Sequence, residues 1–236
     1  MHSRGRMRAR PQGNWLALYE TEERRQETQT MGRYSSDTGG GDFKQAPAGS
    51  HVGRAVRIID LGTQHDEYQG EPTVRNQVLV QWELPNETVE IDGQDKPLLV
   101  GKFYTNSLGE KANLRRHLES WRAKPFTQEE LERFDLMKIL GAPAILSVVH
   151  NEKGKAKVVG VSAMPKGMTC PPAFNQPSAF WIDEWDDNAF TALSDGIKAI
   201  IMKSDEYKAA FTPPSEQRAV GKTAGKQQID DEEIPF

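Results

Sequence analysis

The chain has 236 residues, a formal net charge of −4 and one cysteine, Cys170. It holds no run of 18 apolar residues, so we predict no transmembrane helix, and its Arg-rich start lacks the apolar stretch of a secretory signal. One cysteine excludes an internal disulfide and a cysteine-based metal site, and the five histidines are scattered without ligand spacing. We therefore expect a cytoplasmic protein with no metal and no cofactor.

Residues 1–49 are predicted to form a flexible N-terminal extension. The first 13 residues are basic and poor in apolar side chains, and a stretch of Gly, Ser and Asp follows Tyr34. Such segments bury too little apolar surface to offset the entropy lost on ordering. One hypothesis is that Met31 is the biological start and that the first 30 residues are an upstream extension.

Three strands are predicted in the next part of the chain, over Val52–Leu61, Thr73–Leu84 and Pro97–Thr105. The first is rich in β-branched residues and ends before Gly62. The second has the clearest alternation, because its apolar side chains fall on one face and its polar side chains on the other. Polar residues 64–72 and 85–95 are expected to be loops between the strands.

Two helices and a hairpin are predicted to follow. The first helix, Glu110–Arg122, has an apolar stripe, and Ser107 has capping-box spacing to its first residue. The second helix, Thr127–Leu140, begins with a similar pair. Strands over Pro143–Asn151 and Lys157–Met164 would then form a hairpin that bends at a glycine. The side chains expected in the core are Leu114, Leu118, Trp121, Leu131, Phe134, Met137 and Leu140.

This order of elements predicts a mainly β fold of the OB type, a five-stranded barrel with a helical insertion between strands 3 and 4. A final helix, over about Asp187–Ser204, carries an apolar stripe that would pack on the barrel or on a second subunit. Residues 50–211 are expected to form this one domain, and self-association into a homodimer stays open.

Polar and aromatic side chains on the predicted strands are candidates for ligand contact. On strand 2, Arg75, Gln77 and Gln81 lie opposite the apolar face that contains Trp82. On strand 3, Lys102 and Tyr104 share a face, which we expect to offer a cation beside an exposed ring. Three lysines alternate around the last hairpin, at Lys153, Lys155 and Lys157. These positions correspond to the strands and the hairpin rim that OB-folds use for ligands.

The C-terminal 25 residues, 212–236, are predicted to be a flexible linker that ends in an acidic tip. The linker contains two prolines, two glycines and no aromatic residue up to Gln228. The tip has four adjacent carboxylates followed by three apolar residues, a pattern that suits a basic pocket with an apolar slot. It comprises Asp230, Asp231, Glu232, Glu233, Ile234, Pro235 and Phe236.

This tip resembles the C-terminal tip of single-stranded DNA-binding proteins, in which several Asp precede Ile-Pro-Phe. Residues 49–211 also resemble phage-encoded members, in the stretches Ile58–Gln64, Lys102–Trp121 and Phe134–Leu146. The resemblance implies an OB-fold protein that coats single-stranded DNA in the bacterial host during replication, recombination and repair. It also implies that the tip recruits enzymes such as a polymerase, helicase, nuclease or recombinase. For the first 30 residues, the alternative to an upstream extension is a basic arm that contacts DNA.

The charge balance argues against a simple nucleic-acid binder, since residues 50–211 hold 19 Lys and Arg against 23 Asp and Glu. Local field and base stacking can nevertheless support binding. A recombination adaptor or annealing protein that acts mainly through protein contacts is therefore the alternative. No Walker loop, nucleophile elbow or His-Glu-x-x-His motif is present, so we expect no enzyme.

Overall fold

Three long consecutive strands build the centre of the structure. It is a computed structural model that describes residues 44–68 and 70–211. They are β1 (Gly49–Tyr68), β2 (Glu71–Ile91) and β3 (Gln94–Thr105). The turn between β2 and β3 consists of Asp92 and Gly93, with φ of 55° and 72°. Two consecutive positive φ values are what a tight two-residue hairpin turn requires, so this turn fixes the β2–β3 register.

The remaining elements are shorter. Helix α1 (Asn113–Arg122) and helix α2 (Gln128–Glu132) follow β3, and a 3-10 helix (Leu136–Ile139) precedes the hairpin strands. The later elements are β4 (Pro143–His150), β5 (Ala156–Ser162), β6 (Ser178–Phe180), α3 (Asp187–Thr191), α4 (Asp195–Ile201) and α5 (Asp205–Phe211). None of the helices in these ranges is long and apolar enough to cross a membrane.

The strands form one sheet in the order β3-β2-β1-β4-β5, with antiparallel neighbours. Strand β1 pairs with two strands along one of its edges. Its first residues pair with β4, and residues Arg57–Ile59 pair in parallel with β6. Register shifts beside Ala55 and between Asp60 and Gly62 interrupt its pairing with β2. Such bulges bend a strand and increase its twist, so β1 can leave β4 and meet β6. The expectation of a mainly β fold is confirmed.

The predicted strand positions are correct, but β1 and β2 extend well beyond the predicted ends. Residues 64–68 and 71–72, expected in a loop, continue the β1–β2 ladder, with Gln64 opposite Arg75. Residues 88–91, also expected in a loop, pair with β3 after a register shift. Polar composition favoured loops there, but backbone hydrogen bonds of a ribbon need no apolar side chains.

One core lies between the sheet and α1. It contains the predicted apolar face of β2, and the rings of Trp82 and Trp121 lie 5.9 Å apart in it. The predicted stripe of α1 is confirmed, since Leu114, Leu118 and Trp121 are buried. The helix nevertheless starts three residues later than predicted. Its N-cap is Ala112, which forms no side-chain capping bond, so the predicted capping box at Ser107 is wrong.

The segment predicted as a single second helix is divided. The capping box at Thr127 and Glu130 is present, but α2 ends at Glu132 and a 3-10 helix follows. The change in helix type shifts the buried positions, so Leu136 and Ile139 are buried whereas Met137 is exposed. A uniform 3.6-residue period could not predict that shift.

A second core covers the other face of β1 and β2. Leu79, Ile59 and Leu61 of the sheet contact residues from β6 to α4. The predicted C-terminal helix packs on the sheet as one of the two expected options, although it is split into α3 and α4. The C-terminal members of this core are Phe180, Ile182, Leu193, Ile197 and Ile201. Strand β2 is consequently buried on both faces from Val78 to Leu84.

The fully buried carboxylate of Glu83 holds residues 174–175 against β2. Its two oxygens accept hydrogen bonds from the backbone N–H groups of Phe174 and Asn175, at 2.9 and 3.0 Å, and from the Asn175 side chain. Nearby on β1, the guanidinium of Arg54 donates to the carbonyl oxygens of Cys170 and Pro171. These contacts position the segment that leads into β6.

We predict that Glu83→Gln destabilises the protein by about 1–3 kcal/mol. The amide has one acceptor oxygen, so at least one of the buried donors loses its partner. Glu90→Gln, at an exposed position of the same strand, is the matched control and should leave stability unchanged. Urea denaturation of both variants measures the effect, and equal midpoints for the two would contradict this role of Glu83.

Candidate functional site

An open groove of about 790 Å³ lies where the first part of β2 adjoins the end of β3, beside the loop that leads into α1. Strand β2 contributes Arg75 and Gln77, strand β3 contributes Phe103 and Thr105, and the loop contributes Lys111. Glu110 also lines the groove. The groove therefore combines two cations, one acid, amide and hydroxyl groups and an aromatic ring.

Backbone pairing fixes the geometry of the groove. Gln77 lies opposite Thr105 in the β2–β3 ladder, and the N–H of Asn106 donates to the carbonyl of Asn76 at 2.8 Å. The loop then turns at Ser107, whose hydroxyl accepts from the N–H of Gly109. These hydrogen bonds hold the loop beside the two strands, so that strands and loop form the walls of the groove.

Phe103 is the exposed aromatic side chain of this groove, with 47% of its surface accessible. Its neighbour on the same face of β3, Gly101, is also exposed and adds no side chain above the sheet. A flat ligand group can therefore approach the ring along the strand. The face of β3 expected to be exposed was the opposite one, with Lys102 and Tyr104, so the exposure of Phe103 was not predicted.

Tyr104, predicted to be an exposed platform, is 4% accessible and belongs to the first core. Its hydroxyl lies 2.8 Å from Nδ1 of His117 on α1, and the two rings meet edge to face. The face assignment of β3 was inverted because alternation alone does not say which side is covered. The pairing decides it, since Tyr104 lies opposite Val78 and cross-strand partners share a face.

The buried Tyr104–His117 pair is neutral near pH 7. Burial raises the pKa of Tyr104, which keeps the phenol protonated. Burial, together with the smaller effect of the positive charges of Lys102 and Arg116, lowers the pKa of His117 to about 4. Because both groups are uncharged, they add no net charge beneath the groove.

Lys102 lies on the inner side of β3, opposite Val80, and is half-buried. Its ammonium group donates to the carbonyl of Val158 on β5 at 2.7 Å, so it connects the two edge strands of the sheet. Burial lowers the pKa of Lys102, and the charges of Lys157 and Arg116 contribute to the same shift. The prediction that Lys102 and Tyr104 form an exposed pair is therefore wrong.

Gln81 was predicted on a solvent-facing side of β2, but it is only 8% accessible. Its neighbours on that face are covered, Leu79 by the second core and Glu83 by residues 174–175, and the Gln81 amide oxygen lies 3.5 Å from the guanidinium of Arg57. Gln81 is therefore not available to a ligand. Arg75 and Gln77 precede the buried part of β2 and line the groove. The side-chain amide of Gln77 also donates a hydrogen bond to the Asp66 carboxylate at 3.1 Å.

Of the hairpin lysines, Lys153 and Lys155 lie in the turn between β4 and β5, whereas Lys157 lies on β5. The side chain of Asn151 accepts from the backbone N–H groups of Lys153 and Lys155, which holds the turn. Lys153 and Lys157 are exposed and Lys155 is half-buried. Lys157 adjoins Val158 and so belongs with Lys102 rather than with the turn. The predicted tip, Asp230–Phe236, lies outside the described residues.

The residues that sequence analysis missed are Phe103, Lys111 and Arg116. Phe103 could have been found only with the β2–β3 register, whereas Lys111 and Arg116 lie within the predicted helix Glu110–Arg122, where no sequence signal indicated contact with a ligand. Within residues 44–68 and 70–211, no cluster of three His, Cys, Asp or Glu side chains could hold a metal ion. No protein-family model matches the chain, and no curated protein matches it.

We predict that His117 makes stability depend on pH between about 6.5 and 4. The unfolded chain binds a proton at His117 near its ordinary pKa of 6.5, whereas the folded chain does so only near 4. Because the unfolded state binds more protons in this window, the free energy of unfolding falls as the pH falls. A shift of this size corresponds to about 3 kcal/mol.

Urea denaturation at pH 7 and pH 4.5 measures this loss in the wild type and in His117→Asn. The variant has no imidazole to protonate and should lose less stability on acidification. An unchanged pH dependence in His117→Asn would show that other groups cause the acid loss.

Proposed function

We propose that this protein binds single-stranded nucleic acid, foremost DNA, in the groove beside β2 and β3. The observation that carries the proposal is the exposed ring of Phe103 in a groove that Arg75 and Lys111 also line. An aromatic face can stack on any base, and cations that flank it can contact phosphates. This combination suits binding with little sequence preference.

The order of the sheet supports an OB-fold barrel as the finer fold. Strands β3 and β5 are the ends of the strand order, and the Lys102 contact to Val158 brings them together. Helix α1 follows β3 and precedes β4, which is the place of the helix in an OB-fold. We propose that the sheet closes there and that the groove lies on the surface that OB-folds use for oligonucleotides.

Residues 230–236 extend this proposal to partners. We propose that the acidic tip recruits replication or recombination enzymes and that its four carboxylates compete with DNA for the basic groups of the domain. The tip's resemblance to single-stranded DNA-binding proteins supports the same assignment, in a phage protein that acts on DNA inside a bacterial host.

Titration of labelled dT oligomers and of a duplex of equal length, at low and moderate salt, tests the proposal. We expect binding to the single strand, weakened by added salt through counterion release. Equal affinity for the duplex would contradict it. Absence of measurable binding would favour the alternative, an adaptor that acts through protein contacts, with which the excess of acidic over basic residues in 50–211 agrees.

We predict that Phe103→Ala weakens binding of a dT oligomer by about 1–3 kcal/mol, because one base loses its stacking partner. Thermal stability should stay the same, since the ring is exposed. Phe174→Ala is the matched control, because Phe174 is 57% accessible but lies in the segment before β6. Fluorescence anisotropy measures the affinities, and equal loss in both variants would remove Phe103 from the site.

A further prediction concerns the tip. Deletion of residues 230–236 should tighten binding of dT oligomers at low salt, because tethered carboxylates compete effectively with phosphates and are screened least there. Phe236→Ala should keep normal DNA affinity and lose partner binding, since it retains all four carboxylates. Pull-down of host replication proteins that is unaffected by Phe236→Ala would leave the tip without a recruiting role.

A further inference from the structure

Three basic side chains from three elements lie around the place where β3 and β5 adjoin. Lys102 on β3 donates to the carbonyl of Val158, the residue after Lys157 on β5. Arg116 on α1 precedes His117, which lies against Tyr104, two residues after Lys102 on the same face of β3. The charges of Lys157 and Arg116 are close enough to Lys102 to lower its pKa. We call Lys102, Arg116 and Lys157 the cation cluster.

The cation cluster has no acidic partner in the described part of the chain. None of its three side chains forms an ion pair with another described residue. The groups buried beneath it, Tyr104 and His117, are neutral near pH 7. Like charges held together without a counter-charge repel one another, so an anion bound among them would be stabilised by all three.

The cation cluster is continuous with the groove. Arg116 donates a hydrogen bond to the side chain of Asn113, and Asn113 lines the groove. Tyr104 lines the groove from below. A strand whose base stacks on Phe103 would therefore continue along α1 toward the cluster. Two of the three cations, Arg116 and Lys157, are exposed and can contact it.

We infer that Lys102, Arg116 and Lys157 form a second anion site that binds a backbone phosphate of the strand leaving the groove. This inference rests on the proposed function and adds to it a path across the seam between β3 and β5. Arg116 and Lys157 contact the phosphate oxygens directly. Lys102, held by the Val158 carbonyl, provides a fixed positive charge behind them.

The first test measures DNA binding by the full chain and by Arg116→Gln and Lys157→Gln. Each variant should bind a dT oligomer about fivefold more weakly at low salt and reduce the slope of log affinity against log salt by about one. Lys203→Gln is the matched control, because it removes one exposed positive charge beyond α4, and it should change neither quantity. Equal effects of all three substitutions would overturn the inference.

The second test uses inorganic pyrophosphate as a probe and the pKa of His117 as the signal, followed by NMR. A bound anion offsets the charges that lower the His117 pKa, so this pKa should rise from about 4 in the wild type. The rise in the His117 pKa should be much smaller in Lys157→Gln than in the wild type. In Lys203→Gln, the rise should be as large as in the wild type. A pKa that pyrophosphate does not move would overturn the site.

The two tests separate the inference from the proposed function. If the wild type binds dT oligomers but neither Arg116→Gln nor Lys157→Gln alters the salt dependence, the groove stands and the second site fails. If the wild type binds no oligomer while pyrophosphate still raises the His117 pKa through Lys157, the proposed function fails and the anion site stands.

Discussion

Burial of β2 on both faces is the constraint on which the rest of the structure depends. Seven consecutive residues, Val78–Leu84, are enclosed between α1 on one face of the sheet and the C-terminal segment, from residue 174 to the end of α4, on the other. A half-buried strand would show one apolar and one polar face, but here the second face contains Gln81 and Glu83 as well as Leu79. Their enclosure requires hydrogen-bond partners for the polar groups, since an unpaired buried polar group is costly.

The partners come from far along the chain. The Glu83 carboxylate accepts hydrogen bonds from the backbone N–H groups of residues 174–175. The Asp60 carboxylate of β1 accepts hydrogen bonds from the N–H groups of Gly62 and Ile182. Burial raises the pKa of Asp60, although these two hydrogen bonds oppose the shift. The C-terminal segment is therefore held by directional polar contacts as well as by the apolar surface of the second core.

Coverage of β2 decides where a ligand can bind. The second core covers Leu79 and residues 174–175 cover Glu83, whereas Gly101 and Phe103 on the outer face of β3 remain accessible. On the inner side, Tyr104 and His117 keep the wall uncharged, while Lys102 brings a cation to the seam with β5. The acidic total of the domain is thus compatible with a locally basic path, because binding depends on the field at the surface rather than on net charge.

The sequence by itself determined the number and order of the main strands, the buried stripe of α1, the burial of Trp82 and the capping box at Thr127. These features depend on local periodicity and on hydrogen bonds between residues close in the chain. The same local pattern predicted that Arg75 and Gln77 are available to a ligand. The acidic tip also followed from sequence alone, as a hypothesis about residues outside the described part.

Only the tertiary structure decided which face of β3 is covered. Alternation in Leu98–Thr105 is compatible with either side, and the β2–β3 register, which places Tyr104 opposite Val78, resolves it. The enclosure of Glu83 likewise depends on residues 174–175, which are 91 and 92 positions away, and the proximity of Lys102, Arg116 and Lys157 depends on three separate elements. Contacts between residues distant in sequence leave no local sequence pattern, so only the tertiary structure shows the position of the candidate site.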